Sequence, residues 1–293
     1  MTGALWATAS GVGFGLFQSL NRRAVRDIDN AYVGTFIQLA IAAAVLVVAS
    51  VASEDLSKLA DASAWSLVAF AAAGVVHFLL GWTLLNMSQQ RIGAARTSPL
   101  LTLTPLFGLA IAAVSVGQLP TAAAAAAIVP MMAGAYLVAS GGGRAGRVRP
   151  ADAVFGLGTA VMWAISPVLT LEGLDGLDLP LLGVTVGMLA SVAAYAVALA
   201  GRGTGLGLGA IARDALAFKL AAGVLVAVAT WWRWLALDDE TVGVVLALNL
   251  VSVPIVLFLA PLMVGRHLEH VTWRVWAGAV LVVAGSLALI AVS

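Results

Sequence analysis

The chain is built largely from apolar stretches that are long enough to cross a lipid bilayer. A transmembrane α-helix needs about 20 mostly apolar residues. Such stretches recur along the chain at about 3–20, 31–53, 63–85, 97–116, 121–140, 153–171, 180–200, 214–236, 242–262 and 273–292. Apolar residues make up 62% of the 293 positions and charged residues only 10%, which excludes a water-soluble globular domain. The sequence therefore predicts an all-α membrane protein with ten transmembrane helices.

Charge and cysteine content narrow the range of partners. The net charge is +1 with no cysteine, so we expect neither disulfides nor thiol-bound metals, and the dispersed basic residues predict no nucleic-acid partner. Only Met1 and Thr2 precede the first apolar stretch, whereas a signal peptide normally begins with a positive segment, so we expect a retained first helix. The expected partners are the lipid bilayer and a small-molecule substrate, and both a monomer and a homodimer are compatible with the sequence.

The distribution of basic residues over the predicted loops sets an orientation. The loops after spans 1, 3, 5, 7 and 9 hold Arg22, Arg23, Arg26, Arg91, Arg96, Arg144, Arg147, Arg149, Arg202, Arg213, Arg266 and Arg274. The opposite loops hold only Lys58, beside several acidic residues. Because Lys and Arg in short loops stay in the cytoplasm, we predict a multi-pass protein of the inner (plasma) membrane with both termini outside the cytoplasm.

The two halves of the chain match each other. Phe14 aligns with Trp163 and Pro105 with Pro254 at an offset of 149 residues, and Gln118 aligns with Glu269, Thr121 with Thr272 and Gly134 with Gly285 at an offset of 151. This pattern predicts a first five-helix repeat at 1–140, a basic glycine-rich linker at 141–152 and a second five-helix repeat at 153–293. Since each repeat has an odd number of helices, the second is inverted relative to the first, as in many secondary transporters.

The second half also carries a recognisable motif, which consists of Pro254, Glu269, Thr272, Gly278 and Gly285. It resembles the drug/metabolite transporter superfamily in its EamA-like branch, and the first half resembles the same pattern more loosely. The resemblance implies transport of an amino acid or a similar small organic solute. Three features depart from the family: Gln118 replaces the usual Glu, Ala127 replaces a usual glycine, and members are expected to keep their termini in the cytoplasm.

Polar side chains inside the apolar stretches are candidates for substrate binding, because burying them in hydrocarbon is costly without a partner. His77 lies near the centre of the third span, and its spacing predicts one broad helix face shared with Gly81 and Asn86. A structural histidine is the alternative. The further candidates are Trp82, Trp163, Asn249, Ser252 and Gln38, with Thr102, Thr104 and Ser166 as additional polar groups. Gln18 and Asn21 lie near a helix end, where we expect an interfacial role.

Arg233 lies in the run Trp231–Trp234 near the end of the eighth span. One interpretation is that its side chain extends to the membrane surface, toward Asp238 or Asp239, beside an ordinary interfacial tryptophan belt. The other is that Arg233 faces the cavity mouth and attracts the carboxylate of a substrate.

Four residues are candidates for conformational change. Proline inside a span frees a backbone carbonyl and bends the helix, so we predict hinges at Pro105 and Pro254. Gln118 and Glu269, at matching turns, are predicted to act as caps or gating contacts. We expect a central cavity formed mainly by spans 1, 3, 4, 6, 8 and 9.

The sequence thus predicts a secondary transporter that moves a small organic metabolite by alternating access. No nucleophile, phosphate-binding or metal-ligand motif is apparent, so we expect no enzyme activity, catalytic residue, metal or cofactor. Two alternatives stay open. A multidrug or cation efflux transporter is disfavoured by the lack of a carboxylate deep in a span, and a non-transport scaffold or lipid-related assembly factor would use the repeat only as a framework.

Overall fold

The computed structural model describes residues 3–28, 30–116, 121–140, 149–201, 211–240, 242–265, 269 and 271–292. Within these residues the regular elements are all helical. The helices are α1 (Gly3–Val25), α2 (Ala31–Ser53), α3 (Lys58–Asp61), α4 (Ala64–Gly74), α5 (Trp82–Ile92), α6 (Ala94–Leu101), α7 (Thr104–Val116), α8 (Ala122–Ser140), α9 (Pro150–Leu174), α10 (Pro180–Gly201), α11 (Arg213–Asp239), α12 (Val242–Asn249), α13 (Ser252–Val264) and α14 (Trp273–Val292). A π-helical segment, Val75–Gly81, joins α4 to α5 without interruption.

Seven helical stretches in the described part of the chain are long and apolar enough to cross a membrane. They are Ala31–Ser53, Ala64–Ile92, Ala151–Leu174, Pro180–Gly201, Arg213–Asp239, Val244–Val264 and Trp273–Val292. Each coincides with a predicted span, which confirms a multi-pass membrane protein. The other three predicted spans correspond to α1, to α6 with α7, and to α8, which are helical but are not among the seven. The count of ten therefore stays a prediction.

The first helix is longer than predicted. It continues to Val25, whereas the sequence predicted an end near residue 20. Arg22 and Arg23 consequently lie within α1 and not in a loop, which corrects their predicted place. Arg22 is buried and pairs with Glu269, and this counter-charge makes its burial tolerable. Just after the helix, the exposed carboxylate of Asp27 accepts hydrogen bonds from Arg26 and from Arg23 of α1. The hydrogen bond from Arg26, followed by that from Arg23, holds the pKa of this carboxyl below its ordinary value.

The third predicted span, 63–85, also continues further, to Ile92. Its added turns are polar, but Asn86, Ser88 and Gln89 are fully buried and hydrogen-bonded to side chains of other helices or the next one. Because these polar side chains are hydrogen-bonded, their burial does not require the helix to end. It ends at Gly93, whose φ of 82° is a conformation that glycine adopts readily.

The packing pairs helices of the first half with helices of the second. Helix α1 packs against α11 and against α12 and α13, while α9 packs against α4 and α5 and against α6 and α7. Helices α2 and α10 contact each other, and so do α8 and α14. The last pair is close: a Cβ added at Gly134 would lie 2.6 Å from the Gly278 carbonyl oxygen, and one at Gly278 would lie 2.6 Å from that of Gly134.

Candidate functional site

Two helices are interrupted at corresponding points of the two halves. Helix α6 ends at Leu101 and α7 begins at Thr104, while α12 ends at Asn249 and α13 begins at Ser252. These two breaks correspond at an offset of 148 residues. Each of the spans predicted at 97–116 and 242–262 as continuous helices therefore contains a two-residue turn, at 102–103 and at 250–251.

Proline explains the local conformation at both breaks, because it lacks the N–H that an α-helix needs. Pro105 cannot donate to the Leu101 carbonyl, which instead accepts from the Thr104 hydroxyl at 2.6 Å. Pro254 likewise leaves the Leu250 carbonyl, which accepts from the Val253 N–H at 3.0 Å. The carbonyl groups freed by proline are thus satisfied within the turn.

A central cavity lies beside the two breaks. It is lined by Phe14, Gln18, Ser98, Leu101, Thr102, Thr104, Pro105, Trp163, Arg233, Leu246, Asn249, Leu250 and Ser252. The cavity has a volume of about 60 Å³, room for a few water molecules. Its walls come from α1, α6, α7, α9, α11, α12 and α13. These correspond to predicted spans 1, 4, 6, 8 and 9, whereas span 3 contributes to a neighbouring space described below.

Arg233 is the charged residue in this lining. It is 6% exposed, and within the described part of the chain it forms no ion pair. The predicted extension toward Asp238 or Asp239 is therefore wrong. Close packing of α1 on α11 fixes this region, because the Ser10 hydroxyl donates to the Ala229 carbonyl, one helical turn before Arg233, at 2.8 Å.

Asn249 and Ser252, the residues on either side of the second break, also line the cavity. The Asn249 amide donates to the Val245 carbonyl at 2.7 Å and accepts from the Ser10 hydroxyl at 3.3 Å. Its orientation is therefore fixed from two helices. On the opposite walls, Gln18 Oε1 and the Ser98 hydroxyl are buried without a hydrogen-bond partner among the described residues. Gln18 Oε1 can therefore accept a hydrogen bond from an occupant, and the Ser98 hydroxyl can donate or accept one.

His77 and Trp163 form a stacked pair near the cavity. Their rings are 5.2 Å apart and nearly parallel, and His77 Nδ1 is hydrogen-bonded to the Ser166 hydroxyl at 2.8 Å. Trp163 lines the central cavity, while His77 lines a smaller space of about 10 Å³ on its other side. Arg233 borders both spaces. Because Trp163 lies in the wall of the central cavity and His77 stacks on it, His77 lies behind Trp163 and does not line that cavity.

Trp82, Asn86 and Gln38 lie elsewhere. Trp82 is fully buried against Phe17 and Phe78, with ring centroids 5.9 and 5.1 Å away, and it lines neither space. His77 and Gly81 both face Trp163, whereas Asn86 is hydrogen-bonded to Asn21 and Thr35. The predicted common face is therefore wrong for Asn86, because the π-helical segment before it changes the 3.6-residue period on which that prediction relied.

Asn86 and Gln38 belong instead to a buried polar cluster around Lys219, made of Asn21, Gln38, Asn86, Gln89 and Lys219. Lys219 Nζ donates to Asn21 Oδ1 and to Gln38 Oε1, and the Asn21 amide donates to Asn86 at 2.7 Å and Gln89 at 2.8 Å. Asn21 and Lys219 are fully buried. The cluster joins α1, α2, α5 and α11.

The location of this cluster corrects two expectations. Gln18 and Asn21 are buried between helices rather than interfacial, because α1 continues past them to Val25. Lys219 was not predicted as a site residue, although a lysine inside the predicted span 214–236 was a sufficient signal. Ser98 was also missed, because its sequence neighbourhood gives no sign that its hydroxyl lacks a partner.

Glu269 lies at the end of the bundle where α1 ends and α6 begins. Its carboxylate accepts from the N–H groups of Ala94 and Ala95 at 3.2 and 3.0 Å, and from Arg22 Nε. Gly93 brings the helix start against it, since a Cβ there would lie 2.6 Å from Glu269 Oε2. One buried carboxylate therefore connects α1, α6 and the segment between α13 and α14. Its predicted counterpart Gln118 lies outside the described residues.

Comparisons with known proteins bear on the family and the fold of the chain. Residues 1–140 match the EamA-like transporter family. A solved crystal structure superimposes with a TM-score of 0.63 at 17% sequence identity, covering 96% of this chain and 97% of the other, which is a likeness of fold alone. No curated protein sequence matches the chain significantly.

Proposed function

We propose, from the membership of residues 1–140 in the EamA-like transporter family of the drug/metabolite transporter superfamily, that this protein is a secondary transporter. It carries a small organic metabolite, an amino acid or a similar solute, across the inner membrane by alternating access. The central cavity beside the two matched helix breaks is the observation on which this proposal rests. Binding between broken helices is a recurring design in secondary transporters.

An architecture of two inverted five-helix repeats, 1–140 and 153–293, is part of the proposal, and the packing supports it. The contact of α1 with α11 has its counterpart in that of α9 with α4 and α5, and the contact of α1 with α12 and α13 has its counterpart in that of α9 with α6 and α7. The aligned residues Phe14 and Trp163 contact each other, 6.3 Å between ring centroids. Such pairings are expected of two copies related by a two-fold axis.

Alternating access also needs contacts that differ between conformations. Glu269 is suited to this role, because it joins three segments at one end of the bundle. Pro105 and Pro254 adjoin the breaks and serve as the hinges. The cavity of about 60 Å³ is smaller than an amino acid, so solute binding requires the two halves to separate.

The alternatives have less support. A cation efflux transporter is expected to offer a carboxylate to its substrate, and the cavity lining contains none. A non-transport scaffold or lipid-related assembly factor gives no reason for a cavity at the helix breaks whose lining includes a buried arginine.

The test is solute exchange by the purified protein in lipid vesicles. Vesicles loaded with single unlabelled amino acids or other metabolites should accumulate the matching labelled solute, and protein-free vesicles should not. Trp163→Phe should raise the KM about tenfold, equivalent to about 1.4 kcal/mol of lost contact. Trp273→Phe is the matched control, because Trp273 is 71% exposed. If folded protein exchanges no solute from a broad panel, the scaffold alternative is preferred.

A further inference from the structure

We infer that Arg233 binds the carboxylate of the transported solute, so that the substrates are organic acids with or without an amino group. This inference rests on the proposed function and names its substrate class. It depends on three observations: the isolation of the Arg233 charge, its place in the cavity wall, and the absence of acidic groups from that wall.

The Arg233 side chain is buried in the bundle without an ion-pair partner among the described residues. It is 6% exposed, and no carboxylate pairs with it in the part of the chain that the structure describes. The contrast with Arg22 is direct, because Arg22 is buried to a similar degree and is paired with Glu269. Burying an unpaired charge costs several kcal/mol, about the cost of breaking a buried pair. An ionisable residue inside a membrane span is by default a functional candidate, and here the bound solute would supply the missing anion.

Arg233 also lies where a solute would be held. It forms part of the wall of the central cavity and of the small space beside His77. Its planar guanidinium can donate two parallel hydrogen bonds to one carboxylate. The Ser98 hydroxyl, buried and without a partner among the described residues, lines the same cavity and is a further polar contact for the occupant.

The rest of the lining selects for anions over cations. Apart from Arg233, every lining residue is uncharged. The nearest acidic residues on the same helix, Asp238 and Asp239, are exposed at its end. A solute that carries only an ammonium group would meet one positive charge and no negative one. A carboxylic acid without an amino group needs only the positive charge of Arg233. An amino acid must also place its ammonium group against neutral oxygens such as Gln18 Oε1.

The experiment uses matched sets of solutes on the purified full-length protein in lipid vesicles. One set is L-alanine, propionate, L-alaninamide and ethylamine, and a second set has the same four forms of phenylalanine. We measure exchange of each labelled compound and the shift it causes in the unfolding temperature. The acids and amino acids should be exchanged and should stabilise the protein, while the amides and amines should do neither.

The variants are Arg233→Met and Arg233→Lys, with Arg91→Met as the matched control, since Arg91 is half-exposed and paired with Asp152. Arg233→Met should raise the KM for acids roughly thirtyfold or more without lowering the unfolding temperature, because it removes an unpaired buried charge. The KM of Arg233→Lys for acids should lie between those of the wild type and Arg233→Met, because lysine keeps the charge but lacks the two parallel donors. Arg91→Met should exchange acids as the wild type does.

Three outcomes overturn the inference. If wild-type protein exchanges an amide or an amine as well as the matching acid, the carboxylate is not recognised. If Arg233→Met folds and keeps the wild-type KM for acids, another group binds them. Both results leave the proposed function intact. If the folded wild-type protein exchanges and binds none of the compounds, the inference fails together with the proposed transport of amino acids.

Discussion

At the scale of single residues, three buried basic side chains have three different kinds of surroundings. Arg22 has an anionic partner in Glu269, Lys219 has two neutral oxygen acceptors, and Arg233 has no ion pair with any residue that the structure describes. Because an unpaired charge in a low-dielectric interior is expensive, these arrangements have different consequences for stability and for binding. The first gives a direct prediction.

Glu269→Gln should destabilise the protein, because it leaves Arg22 buried without a counter-charge and weakens the cap on α6. We expect a loss of about 3–5 kcal/mol, measured as a lower midpoint of thermal or denaturant unfolding in detergent. Asp152→Asn is the matched control: it breaks the more exposed pair with Arg91 and should cost at most about 1 kcal/mol. Equal effects of the two substitutions would show that the Glu269 pair has no special role.

The same pair predicts strong coupling in a double-mutant cycle. Arg22→Met alone should also destabilise the protein, since Glu269 would then be the unpaired charge. The double variant should lose much less than the sum of the two single losses, because neither member of the pair is then left without its partner. Additive losses would contradict direct pairing.

Residue-scale features were only partly predictable from the sequence. The predicted candidates Trp163, Arg233, Asn249 and Ser252 line the cavity, in keeping with the tendency of polar residues inside a span to face the protein interior. Asn86 could not be assigned correctly, since hydrogen bonds to Asn21 and Thr35 depend on how distant helices meet, and the local sequence does not encode that contact.

At the scale of helices, close approach depends on glycine. Gly134→Ala should separate α8 from α14, because the new Cβ would meet the Gly278 carbonyl oxygen at 2.6 Å. We expect a loss of about 1–3 kcal/mol, read from thermal unfolding. Gly108→Ala is the control, since its Cβ would meet nothing within 4 Å, and it should be neutral or stabilise the helix by up to about 1 kcal/mol. If both variants unfold at the same temperature, these glycines do not set the helix spacing.

The helix breaks yield a functional prediction at the same scale. Pro254→Ala restores an N–H that can donate to the Leu250 carbonyl, so α12 and α13 should tend to merge into one straight helix. The unfolding temperature should stay the same or rise, while the exchange rate in vesicles falls. Pro261→Ala, inside α13 and away from the cavity lining, should leave the rate unchanged. A wild-type rate in Pro254→Ala would argue against a hinge.

The positions of the helices were well predicted, and their interruptions were not. The bounds of α2 equal the predicted 31–53, because hydrophobic length alone decides where a lipid-facing helix runs. The breaks at 102–103 and 250–251 lie within apolar stretches of suitable length, so composition gave no sign of them. The prolines indicated where to look, but a proline predicts a kink as readily as a break.

At the scale of the whole molecule, the orientation in the membrane is open to a direct test. The predicted location of both termini outside the cytoplasm places the segment after α2 outside and the end of α10 inside. The chain has no cysteine, so Ser57→Cys and Gly201→Cys each provide a unique thiol at an exposed position. A membrane-impermeant maleimide should label Ser57→Cys in intact cells and Gly201→Cys only after lysis. The reverse pattern would place the termini in the cytoplasm.

The cavity of about 60 Å³ at the centre of the bundle has a consequence for the membrane as an electrical insulator. A cavity that holds only a few water molecules is too small to form, by itself, a continuous chain of water along which protons or ions could cross the membrane between transport cycles. Vesicles containing the protein should therefore hold a pH gradient as long as empty vesicles do, until a solute that fits is added.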